Sequence, residues 1–187
     1  MFKEIFELIY KLILQPGKSW SELAEKKDTD NEQFLKRYLY PVFGIIALLT
    51  FIGVLISKKE FDVQIALKTS INVFLSVFLG FYIASFVLTE IFQRVFNQSK
   101  QPKIDQQFVG YVSALMYFSH MLLAIFPNLL FFRFFELYTV YMIWEGASYL
   151  DIQTKDKTKF TLITAAIILV SPYLIESLMF LLMPELQ

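Results

Sequence analysis

The sequence predicts an all-α, polytopic integral membrane protein: five transmembrane helices preceded by an amphipathic helix at the membrane interface. Three observations carry this. The 187-residue chain is 56% apolar and only 18% charged, a composition shifted from the globular norm toward lipid. Apolar stretches of about 20 residues, the length needed to cross hydrocarbon, recur along it. Lysine and arginine gather in alternate connections, as the positive-inside bias requires of a multi-pass chain.

The first element is "MFKEIFELIYKLIL". Phe2, Ile5, Phe6, Ile9, Leu12 and Ile13 share one helical face, with Lys3, Glu4, Glu7 and Lys11 largely opposite. Those charges interrupt the apolar core that a secretory signal needs. The pattern fits a helix lying in the cytoplasmic interface or, equally, one packed on the membrane domain. Pro16-Gly17 ends it, and "SWSE" has the form of a capping box from Ser19 to Glu22, with Trp20 as an interfacial anchor. Residues 1–37 thus form a cytoplasmic arm, and residues 38–183 the membrane domain.

The spans follow at about 38–57, 70–89, 108–126, 129–150 and 160–183. The third and fourth are divided at Pro127-Asn128. Unbroken, 108–150 would be a helix of about 64 Å, twice the hydrocarbon thickness. Proline removes a donor and clashes with the preceding turn, so two helices joined by a tight turn fit better, with four spans and a re-entrant piece as the alternative. With the N-terminus cytoplasmic, the inner connections hold 13 lysines and arginines and the outer ones 3. The tail "PELQ" then ends outside. In the second span, Ser76, Gly80 and Ala84 make a ladder of small residues that permits close helix approach, within the monomer or between copies.

Inside this frame "LLFFRFFEL" places Arg133 and Glu136 on one face, near the outer end of the fourth span. His120 and Glu176 fall at a similar depth on the third and fifth. Unpaired charge in hydrocarbon costs several kcal/mol, so such groups face the bundle interior and find partners. The expected pairing is Arg133 with Glu176, Glu136 lying near both, either as a structural ion pair or as a polar pocket. Nearer the inner face, Glu90 and Glu145 share one level, as a paired cation or proton site or as separate interfacial residues.

Conventional chemistry is scarce. Cysteine is absent and His120 is the sole histidine, so neither a thiolate nucleophile nor a familiar zinc site can be assembled. Gly-rich phosphate loops and the GxSxG elbow are missing. Zero net charge recruits no nucleic acid. The reading is a non-enzymatic protein with no metal or cofactor, whose partners are membrane lipids and other proteins or copies of itself.

Four segments, "LQPGKSW", "RYLYP", "VGYVSALMYFSHML" and "LYTVYMIWEGAS", give the chain a resemblance to the Yip family of Ypt/Rab-interacting membrane proteins. It extends from about Leu12 to Met183. Tyr40-Pro41 is similar to the family's Tyr-Gly-Pro element, without its glycine, and Gly110-Tyr111 to its Gly-Tyr in the third span. The resemblance implies five helices, a cytoplasmic N-terminus and a non-enzymatic adaptor role; eukaryotic members bind prenylated Rab GTPases and one another. The short arm and cysteine-free composition match the compact bacterial branch, which implies an inner-membrane scaffold. The alternative is a small transporter or channel using His120, Arg133, Glu136 and Glu176.

Overall fold

The computed structural model describes residues 2–25, 31–57, 62–96, 99–129 and 131–182. Lys26, Lys27, Lys58, Lys59 and the "PELQ" tail, used above for orientation, lie outside them. Most of the described residues are helical and none of them is in a strand. In chain order they form α1 (Phe2–Leu14), α2 (Pro16–Ala24), α3 (Asn31–Ser57), α4 (Val63–Phe96), α5 (Pro102–Val112) and α6 (Ala114–Ile125). The short α7 (Phe132–Phe135), α8 (Thr139–Gly146) and the long α9 (Lys157–Leu182) follow.

Three helical stretches are long and apolar enough to cross a membrane: Asn31–Ser57, Val63–Phe96 and Thr154–Leu182. The pair α5–α6, bent by 44° at Ser113, makes a fourth if it is one broken span and is otherwise a re-entrant loop. The chain is therefore a multi-pass membrane protein. Its outer surface agrees: Leu48, Ile52 and Ile56 line one exposed stripe of α3, and Leu174, Leu178 and Leu181 one of α9. In water such stripes would be a liability, whereas against acyl chains they cost nothing.

The fourth expected span differs from the sequence reading. Residues 132–150 are not one continuous α-helix; 3-10 turns at Glu136–Tyr138 and Ala147–Leu150 interrupt them. The aromatic run lowers helix propensity, and tertiary contacts decide the local path instead. The break at Pro127-Asn128 is present, and after it the chain packs back along α6 and then α5. Tyr149 at the far end donates to Gln107 in the middle of α5, at 2.9 Å. The hairpin's two feet are thus tied at one level. Tyr149→Phe removes the donor and leaves the buried Gln107 with one partner fewer; the expected cost is about 1–2 kcal/mol, measured as a lower detergent melting temperature.

The arm is part of the bundle. Ile5, Ile9 and Leu12 are buried against α5 and α6, while Phe6 and the charged residues point outward. No break separates arm from membrane domain at residue 37, because α3 runs through it. Its turn Leu35–Leu39 is a π-helix in which the Tyr40 N–H donates to the Leu35 carbonyl. Pro41 explains this: it has no N–H, and its ring would press on the preceding turn, so the ladder widens by one residue. The wider turn lets Phe34, Tyr38 and Leu39 all face the core.

Two local expectations are corrected. α2 begins at Pro16, whose missing N–H suits a first helical turn, so Pro16-Gly17 starts a helix as well as ending one. Ser19 consequently sits inside α2, buried, and caps nothing. Trp20 is 1% exposed, a core residue rather than an interfacial anchor.

Candidate functional site

The polar residues expected near one membrane boundary do gather, in an arrangement the sequence did not specify. A cavity of about 340 Å³ lies between α3, α4, α6 and α9. Thr50, Ser57, Thr69, Ser76, His120, Arg133 and Glu176 supply its polar lining. Two glycines set the spacing of the helices around it. Gly53 lets α3 approach the α6 backbone at Ala124, and Gly80 seats the ring of Pro172. The small-residue ladder therefore packs α4 on α9 within one chain.

Arg133 does not pair with Glu176. Among the described residues it makes no ion pair; its guanidinium lies over the Tyr173 ring, 5.2 Å from the centroid. Glu136, 4% exposed, is turned away from the cavity lining and accepts a 2.6 Å hydrogen bond from the Tyr173 hydroxyl. Tyr173 thus stands between guanidinium and carboxylate, touching one with its face and the other with its hydroxyl. The buried Ser119 hydroxyl also neighbours the Glu136 carboxylate, although neither it nor Oε1 reaches full hydrogen-bond geometry. Tyr173 was missed in the sequence. Its signal was available: it stands one helical turn before Glu176, on the same face of α9.

This geometry sets an expectation for Arg133→Leu. Removing one partner of a buried pair strands the other, at about 3–5 kcal/mol. Here no carboxylate is stranded, so in lipid-free detergent the variant is expected to melt within a few degrees of wild type. A fall as deep as that penalty implies would mean that Arg133 and Glu176 pair in solution.

The inner-side carboxylates have different neighbours. Glu90 on α4 is held by Lys100 and by Arg94, whose Nη2 is 3.6 Å away. Glu145 on α8 lies beside Gly17, where an added Cβ would come within 3.2 Å of its Oε2. A buried carboxylate at this level is instead Asp105, in the "KIDQQ" stretch read as a connection. It accepts a 2.7 Å hydrogen bond from Thr89 and joins α5 to α4. Among the described residues no group of three metal-ligating side chains gathers.

The motif segments converge at the other end of the bundle. Trp20 of "LQPGKSW" donates from Nε1 to the Met142 carbonyl at 3.1 Å and packs on Phe108 and Tyr149, each 5.3 Å between ring centroids. It covers Gly146 of "WEGAS", where any Cβ would fall 2.5 Å from the indole. Gly110 is required in the same way, with a Cβ there 2.5 Å from the Phe34 ring. Tyr111 packs edge-on against Phe34 and Trp20 and tilted against Tyr38. Tyr40 instead reaches α4, its hydroxyl 2.8 Å from that of Tyr82, and Pro41 sets the π-turn. Four short motifs, scattered in sequence, thus form one aromatic joint and its hinge-like support on α3.

No curated protein matches the chain, and no solved structure does. The Yip1 domain model matches residues 10–178, a stretch that begins within α1, takes in the whole aromatic joint and ends near the close of α9. By that match the chain belongs to the Yip1 domain family of membrane proteins, whose members are generally non-enzymatic.

Proposed function

We propose that this protein is a membrane scaffold of the Yip type, set in a bacterial inner membrane with its N-terminus cytoplasmic. It binds protein partners through the outer face of the arm. The observation that carries this reading is the division of α1. Ile5, Ile9 and Leu12 are locked into the bundle, while Lys3, Glu7 and Lys11 are exposed. A charged surface is thereby held rigidly against the membrane domain, which lowers the ordering cost of binding. The orientation and the fifth crossing belong to the same proposal, supported by the lysine distribution and by the returning hairpin.

Deleting the arm cannot test this, since it would remove core residues. The test is co-purification with wild type and with a Lys3→Glu, Lys11→Glu, Lys18→Glu variant, which leaves the buried face intact. Loss of partners in the variant is the expected outcome. An unchanged partner set would remove the arm from the proposal.

The cavity favours a second reading, a small transporter or channel. It ranks below the first because aromatic packing fills the bundle beyond the cavity. Phe43 contacts both Tyr117 and Phe81, at centroid distances of 5.4 and 6.0 Å. Proteoliposome flux that depended on the cavity-lining Glu176, abolished in Glu176→Gln, would reverse the order.

A further inference from the structure

We infer that the cavity between α3, α4, α6 and α9 binds the headgroup of a zwitterionic, amine-bearing phospholipid, the phosphate on Arg133 and the ammonium on Glu176. This goes beyond the scaffold reading and does not rest on it.

The size is right. A volume of about 340 Å³ lies within the ordinary range of small-ligand sites and far exceeds the space of a single water. The charges are also right. Arg133 and Glu176 both line the cavity, yet no ion pair joins them. Two opposite charges that share a cavity without neutralising each other suit a ligand carrying both charges on one short link. The guanidinium lies over the Tyr173 ring and makes no hydrogen bond or ion pair among the described residues, so its N–H groups, which grip phosphate oxygens in a forked pair, are left for a ligand. His120, on the same wall, offers a further polar contact. The second carboxylate, Glu136, is taken up by Tyr173. It is not among the groups lining the cavity, so a single negative charge remains for the ammonium.

Position selects a lipid rather than a soluble zwitterion. Ser57, the last residue of α3, and Pro127, at the tip of the hairpin, both border the cavity. It therefore reaches the membrane boundary, where headgroups lie. The cavity's apolar lining includes Val54, Val73 and Leu123, all partly exposed. These side chains offer acyl chains an apolar surface within the site itself.

The test is binding and thermal stabilisation of the full-length, delipidated protein in detergent, with four probes. They are dioleoyl phosphatidylethanolamine, its N-trimethylated choline analogue, phosphatidylglycerol and soluble O-phosphoethanolamine. The ethanolamine lipid is expected to bind most tightly. Arg133→Gln should weaken it roughly tenfold or more, the scale of a lost charge-assisted hydrogen bond. Glu176→Gln should erase the preference for ethanolamine over glycerol headgroups while retaining phosphate-dependent binding. Val73→Phe fills the cavity without touching a charge and should abolish the effect, which guards against misfolding of the charge variants. Equal binding of all three lipids to wild type, or headgroup selectivity that survives Arg133→Gln, Glu176→Gln and Val73→Phe alike, would overturn the inference. Binding of O-phosphoethanolamine as tight as that of the lipid would assign the site to a soluble zwitterion and overturn the lipid part.

Discussion

Trp20→Ala is expected to destabilise the whole membrane domain, although the substitution lies in the arm. Truncating a buried tryptophan costs about 3–5 kcal/mol, and for a chain of this size that lowers the melting temperature by roughly 10 °C. Three losses combine. The indole packs on Phe108 and Tyr149, so its removal opens a cavity at the foot of the third and fourth segments. The Met142 carbonyl loses a 3.1 Å hydrogen bond in a region where water cannot readily replace it. Gly146, which has no side chain because Trp20 covers it, is left facing a void. The control is Trp144→Ala. Trp144 is 39% exposed and carries Lys157 over its ring at 4.5 Å, a surface contact worth about 0.5–1 kcal/mol. Differential scanning fluorimetry on the two variants decides the matter. Equal melting points would show that the arm is not docked on α8, and with that the reading of the family motifs as one joint would fall.

That joint also shows how far the sequence could be read. The apolar face of α1 was legible from its period, since burial of Ile5, Ile9 and Leu12 follows directly from helical spacing. What covers that face was not legible, because a lipid surface and a protein wall ask for the same residues. The hairpin break was legible too, since proline punctuates a helix whatever lies around it. The charged layer was partly legible. Depth along each helix brought His120, Arg133 and Glu176 to one level, and the structure places all three on one cavity. Their partners depended on helix rotation, which depth does not fix, and rotation set Tyr173 between Arg133 and Glu136. Asp105 was hidden by its neighbours. A carboxylate in a polar run reads as solvated unless its hydrogen-bond donor, here Thr89 on another helix, is already known.

Glycine gives the sharpest case of a contact invisible in sequence, and the other large expected effect. Gly53→Ala should destabilise by about 3 kcal/mol, the upper range for overpacking, and Gly53→Val should prevent assembly of the bundle. A Cβ at Gly53 would lie 1.7 Å from the Ala124 carbonyl oxygen and 2.8 Å from its carbon. Both are backbone atoms of α6, so no rotamer change relieves the clash and the two helices must separate. Without a hydrophobic driving force between helices in lipid, close backbone packing is much of what holds them together. Separation there forfeits contact along the whole α3–α6 interface. Gly44 lies on the same helix with nothing within 4 Å of an added Cβ. Gly44→Ala should therefore stabilise, by about 0.5–1 kcal/mol, through helix propensity alone. The two substitutions are chemically identical and opposite in expected sign, so propensity cannot account for both. Melting temperatures of the pair in one detergent measure the difference. A Gly53→Ala variant as stable as Gly44→Ala would mean that α3 and α6 do not touch at Ala124, and the cavity those helices wall on one side would lose its shape.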